Sequence, residues 1–207
     1  MYRPGAFAVD EVQALHEAIR ARVLATLAVA DGDGVQFAYA PVVVDAVGVF
    51  GALRFHLARS NPVADILDGA KVKVSFLGPD GYVSPDWYVG AGFVPTWNYV
   101  AIEGEGIATR LTGDACEVAL ADLSAQEEAR LAPKPAWTLD KLTPAKLTQL
   151  LAAIAVFTLP LSRLEGKFKL SQDKSQSDRA RVMAALARRP DPRSQSLVQA
   201  MKTVPSR

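Results

Sequence analysis

Cysteine occurs once in this chain of 207 residues, at Cys116, so no internal disulfide can form and no cysteine zinc cluster can be built. Histidine is nearly as scarce, with only His16 and His56, and a transition-metal site made from protein ligands alone is not expected. No apolar run approaches the roughly 20 residues that a membrane-spanning helix needs, and the opening stretch MYRPGAFAVDEV has no secretory h-region. These absences predict a cytoplasmic protein without membrane association. Charge of one sign is missing too: Lys and Arg total 23 against 22 Asp and Glu, a net of +1. Proteins that draw their affinity from many phosphate contacts carry a strongly basic footprint, so net charge does not support DNA as a partner. GxGxxG, P-loop, HExxH and GxSxG signatures are all lacking, no catalytic residue stands out, and chemistry here would have to come from a cofactor.

What is present is a globular composition, 50% hydrophobic and 22% charged, of a length to bury its own core. Asp10, with Gln13 three residues on, starts a helical pattern whose apolar stripe is Val12, Leu15, Ile19 and Val23; His16 falls one step off it and is expected at the surface or boundary. Leu24–Ala30, the turn Asp31-Gly32-Asp33-Gly34 and Val35–Val44 read as a hairpin, with Val49–Leu57 and Lys71–Leu77 as further strands. Gly78-Pro79-Asp80-Gly81 reads as the next turn. Trp97–Leu111 is a strand whose Gly104 and Gly106 suggest a bulge or sharp bend. Helices follow over Asp114–Leu131 and Thr143–Ala152, a strand over Ile154–Leu164, and a helix over Ser175–Arg189. The expected organisation is one domain over residues 1–189 and a polar tail over 190–207. Short antiparallel strands with flanking helices point to a mainly β, α+β fold built on a small barrel.

The densest chemistry lies in Tyr82–Tyr99, YVSPDWYVGAGFVPTWNY, which holds Trp87, Trp97, Pro85, Pro95, Ser84 and Thr96. Such aromatics beside rigid prolines suit a slot for a flat, partly polar molecule, and equally a long loop that tucks its tryptophans into the core. Arg59, Ser60 and Asn61 at a strand end offer a fork, a hydroxyl and an amide to a phosphate, while Asn61-Pro62 is also an ordinary helix start.

Taken together, Met1-Tyr2-x-Pro4, His56-Leu57-Ala58-Arg59-x-Asn61-Pro62, Tyr82-Val83-Ser84-Pro85-x-Trp87-Tyr88, Val94-Pro95-Thr96-Trp97-Asn98-Tyr99 and Glu165-Gly166-Lys167-Phe168-Lys169-Leu170-Ser171-Gln172 resemble the PaiB family of FMN-binding negative transcriptional regulators, relatives of the pyridoxamine-phosphate-oxidase-like split barrels. The resemblance runs in order over nearly the whole chain. It implies a six-stranded antiparallel split β-barrel working as a homodimer, with FMN where the protomers meet. Arg59, Ser60 and Asn61 would hold the phosphate, with His56 nearby. Strand backbone at Thr26, Leu27, Tyr39, Ala40, Pro41 and Val42 would contact the ring or ribityl chain. Trp97, Asn98 and Tyr99 would reach in from the other protomer, and Lys167, Lys169 and Gln172 would line the pocket wall. The function implied is a flavin-binding regulator; related barrels also include flavin-dependent oxidoreductases and haem-binding proteins.

Overall fold

The computed structural model describes residues 1–90 and 92–204. Eight strands make up the sheet: β1 (Ala8–Val9), β2 (Leu24–Asp31), β3 (Gly34–Asp45), β4 (Ala52–Ala58), β5 (Lys71–Val83), β6 (Thr96–Ile107), β7 (Thr109–Arg110) and β8 (Ile154–Lys169). The helices are α1 (Val12–Arg22), α2 (Val63–Ile66), α3 (Asp114–Glu128), α4 (Pro144–Ala152), α5 (Gln176–Ala187) and α6 (Pro192–Thr203). Strands pair in the order β1-β8-β4-β3-β2-β5-β6, with β7 on β8 and a further pairing of β6 with β8. The fold is thus a mainly antiparallel sheet with flanking helices. Among the described residues no helix is long and apolar enough to cross a membrane.

By their contacts the residues group into two compact units: residues 16–76 with 104–164, and residues 1–15 with 77–103 and 165–207. The first is the strand-rich unit. Its β2–β3 hairpin forms where the sequence placed it, with Asp31 Oδ1 accepting from the Asp33 amide at 2.8 Å to set the turn, and Leu24 opposite Pro41. Period-two alternation sends Ala25, Leu27, Val29, Ala38, Ala40 and Val42 into the core, where Phe55 and Phe157 stack at 5.6 Å. Gly106 of β6 answers a close contact: a Cβ there would lie 2.1 Å from the Pro160 carbonyl oxygen of β8. His16 is buried and not on the surface; its Nε2 pairs with the Phe50 carbonyl at 2.9 Å, a partner the α1 stripe alone does not reveal.

The second unit holds the helical C-terminal part. Gly78-Pro79 does not turn the chain; β5 continues through it to Val83. Gly78 is needed because a Cβ would come within 2.6 Å of the Val100 side chain on β6. The expected polar tail is instead α6, capped by Asp191 accepting from the Ser194 amide at 2.8 Å and preceded into its first turn by Pro192. It buries Leu197, Val198 and Met201 against Val182 and Leu186 of α5, in a cluster with Val83, Tyr88, Val100 and Leu170. Arg179 of α5, itself buried, donates to the Met201 and Val204 carbonyls and so places a cation on the negative end of α6. Truncating Leu197, fully buried here, would cost about 2–5 kcal/mol.

Candidate functional site

The predicted site residues fall into two sets, one in each unit. In the strand-rich unit, alternation on β2 and β3 leaves one sheet face without a cover: Leu24, Val35, Phe37 and Tyr39 are all more than half exposed, with Tyr39 at 67%. Thr26 stands opposite Tyr39 and Ala28 opposite Phe37, so these side chains share the face. Leu27, Ala40 and Val42 point inward, so only their backbone could meet a ligand. At Val42 even that is engaged, its amide donating to the Val23 carbonyl at 3.0 Å and its carbonyl accepting from Gln126 at 3.2 Å.

His56 sits half-buried on β4 beside β8, and burial pushes its imidazole below the ordinary value, favouring the neutral ring. Just past the end of that strand is Arg59, which is exposed and held by two bonds to residues distant in sequence: Nε to the Ala152 carbonyl at 2.7 Å and Nη2 to the Ile154 carbonyl at 2.8 Å. Those bonds fix the guanidinium plane, and no acceptor among the described residues engages Nη1. Asn61 Oδ1 caps the turn into α2 by accepting from the Val63 amide at 3.0 Å; its amide nitrogen and the exposed Ser60 hydroxyl make no hydrogen bond among the described residues. Arg59 also borders a cavity of about 570 Å³ shared with Arg110, Thr112, Cys116 and Leu151. The sequence reading missed Arg110, which comes from β7 and has no motif around it.

In the other unit, Trp97 is 47% exposed, edge-on to Tyr82 at 6.2 Å and covered on one face by the Arg193 guanidinium at 5.2 Å. Lys167 lies between the rings of Tyr2 and Tyr99, 5.3 and 5.2 Å from their centroids. Gln172 is buried and committed to its own turn, accepting from the Leu170 amide at 2.8 Å and donating to the Phe168 carbonyl. Asn98 is buried as well, donating to the Ser171 hydroxyl at 2.8 Å. The aromatic segment is anchored by Tyr88 rather than by its tryptophans. Tyr88 is 5% exposed, packs on Phe93 at 4.4 Å, and its hydroxyl is buried without a hydrogen bond. Leaving such a group unpaired costs about 1–3 kcal/mol.

The strand-rich unit supplies the groups that a phosphorylated, planar ligand requires: cationic and neutral donors at a strand end, and an exposed apolar sheet face. The fold is shared with solved structures of other proteins. The chain superposes on the FAD and heme binding protein of Mycobacterium smegmatis with a TM-score of 0.57 at 20% identity, over 78% of this chain and 73% of that one. The flavocytochrome Anf3 of Azotobacter vinelandii gives 0.56 at 14% identity, over 81% and 72%. In sequence, the protease synthase and sporulation protein PAI 2 of Bacillus subtilis is 30% identical over 148 residues, 71% of this chain and 70% of the relative. A family model described as "Putative FMN-binding domain" matches residues 1–163. The chain therefore belongs to that FMN-binding domain family, in its PaiB branch, and its cofactor is FMN.

Proposed function

We propose that this protein is a split-barrel flavoprotein working as a homodimer, with FMN held where two copies meet, and that the loaded dimer is a negative transcriptional regulator. The ring of pairings β8-β4-β3-β2-β5-β6, returned to β8 by β6, supports the six-stranded barrel. One observation carries the dimer: the uncovered apolar face of β2 and β3, with Leu24, Val35, Phe37 and Tyr39 turned to solvent. A second copy covers that face and brings its own exposed Trp97 and half-buried Tyr99 toward it.

The residues present fit FMN by donor chemistry. Arg59, its plane set by the Ala152 and Ile154 carbonyls, keeps N–H groups for a phosphate, and Ser60 and the Asn61 amide add neutral donors on the same turn. Thr26, Tyr39, Pro41 and neutral His56 line the apolar side, where a flat ring system loses its water. Backbone of Leu27 and Ala40 completes that wall. When bound, FMN supplies reversible electron transfer. With a net charge of +1, repression through a partner protein fits better than broad contact with DNA phosphates.

The test is an absorbance spectrum of the freshly purified chain, mass identification of any small molecule released on denaturation, and sedimentation of the same sample. An FMN mass with a dimer is expected. A colourless protein that also fails to take up added FMN overturns the flavin site, and a flavin-loaded monomer overturns the interface. Gel-shift titration with genomic fragments at low and physiological salt then separates direct from partner-mediated repression.

A further inference from the structure

The outward face of β3, β2 and β5 carries more than its apolar patch. Strand register sets the side chains in rows: Phe37, Ala28 and Lys73 lie side by side across the three strands, and Tyr39, Thr26 and Ser75 form the next row. Val72 and Val74, on either side of Lys73 along β5, are buried, which turns Lys73 to the outward side. The face is therefore graded. Its β3 side is aromatic, with Phe37 and Tyr39 both more than half exposed, and its β5 side presents an ammonium and a hydroxyl.

Three groups toward the β5 side are unengaged. Lys73 is exposed and makes no ion pair or hydrogen bond among the described residues, and the same holds for the hydroxyls of Thr26 and Ser75. Lys71, two residues back on the same face, differs: it pairs with Glu105 of β6 at 3.2 Å. Glu105 feels the charge of Lys73 as well, but its hydrogen bond goes to Lys71. A lone lysine on a strand often guards an open sheet edge against pairing with another chain. That role is closed to Lys73, because β5 is paired on both sides, with β2 and with β6.

From Phe37 to Lys73 the row crosses two strand spacings, about 10 Å, a span that suits three fused rings. We propose that Lys73 orients the flavin ring and sets its redox poise: the dimethylbenzene end of FMN lies toward Phe37, and the pyrimidine end toward Lys73 and Ser75. This rests on the reading of FMN as the ligand of the β2–β3 face. Two electrons and one proton added to the ring leave a negative charge at its pyrimidine end. A cation held there stabilises that form over the neutral, oxidised one. The Ser75 and Thr26 hydroxyls are free to bond the polar atoms of the same end.

The test uses the full chain loaded with FMN and, separately, with riboflavin. Spectra of the loaded protein come first: a wild type that takes up neither flavin overturns the flavin reading, and this proposal with it. Midpoint potentials are then measured by dithionite titration against a reference dye for wild type, Lys73→Met and Lys73→Arg. Lys73→Met should bind oxidised FMN within threefold of wild type but hold the reduced form about tenfold less tightly, which lowers the two-electron midpoint by about 30 mV. Riboflavin should show the same fall, because the phosphate takes no part, and Lys73→Arg, which keeps the charge, should stay close to wild type. A reduced-form affinity within threefold of wild type in Lys73→Met overturns the proposal and leaves the flavin reading standing. So does a loss seen with FMN but not with riboflavin, which would put Lys73 at the phosphate. A loss that accompanies dissociation of a wild-type dimer in sedimentation also overturns it, because Lys73 would then be a contact between copies.

Discussion

Arg59→Ala tests the phosphate site most directly, because the side chain's two roles can be separated. In the folded chain its Nε and Nη2 hold the Ala152 and Ile154 carbonyls at 2.7 and 2.8 Å, but the group is exposed and water can replace those donors. Their loss should cost about 1 kcal/mol, a fall in Tm of roughly 2–4 °C for a chain of this size. A charge-assisted bond to a phosphate oxygen is worth about 1.5–3 kcal/mol, so losing one should raise the Kd for FMN by roughly 10- to 150-fold. Arg59→Lys retains the charge but not the fork, and should fall between wild type and alanine. The assay is fluorescence titration of flavin-stripped protein, run in parallel with FMN and with riboflavin, which has the ring system and no phosphate. The variant should lose affinity for FMN and bind riboflavin as wild type does. An FMN Kd within twofold of wild type would remove Arg59 from the site. Equal losses for both flavins would mean that Arg59 acts only by holding the ends of α4 and β8 in place.

Three further outcomes are expected. Phe37→Lys combined with Tyr39→Lys puts two charges on the uncovered face of β2 and β3 without touching the core; sedimentation should then show a monomer with a wild-type circular dichroism spectrum, and a persistent dimer would move the interface elsewhere. Gly106→Ala forces a Cβ to within 2.1 Å of the Pro160 carbonyl, more than an ångström inside van der Waals contact, so β6 and β8 must part. A loss above about 3 kcal/mol should appear as a lower urea midpoint or insoluble expression, and a shift below about 1 kcal/mol would contradict the close approach. The third concerns acid. The Ser194 amide and hydroxyl hold the Asp191 carboxyl down to about 2, below its ordinary value of 3.8. A depressed carboxylate stabilises the fold above the unfolded value and loses that contribution as pH falls through the folded one, so the cap of α6 should fail between about pH 4 and pH 2. Asp191→Asn can still cap but cannot titrate; the difference in Tm between wild type and variant should therefore change across that window and be flat above it.

The parts of this protein that could be read from its sequence are those whose cause is local. The Asp31–Gly34 turn fixes the β2–β3 hairpin within four residues, and the alternation on either side fixes which face is buried. Arg59, Ser60 and Asn61 are contiguous, so their shared chemistry is visible without knowing the fold. The misreadings all have a distant partner. Gly78-Pro79 carries the chemistry of a turn, yet the glycine is there for Val100. His16 lies off the apolar stripe of its own helix and is buried because the Phe50 carbonyl accepts it. The residues after 190 look polar along the chain, but Leu197, Val198 and Met201 share one side of α6 and find α5, whose Arg179 caps the helix end. Composition and periodicity record the groups a chain has; only the folded arrangement reveals which of them are left without partners, and such groups are where a ligand can gain most by binding.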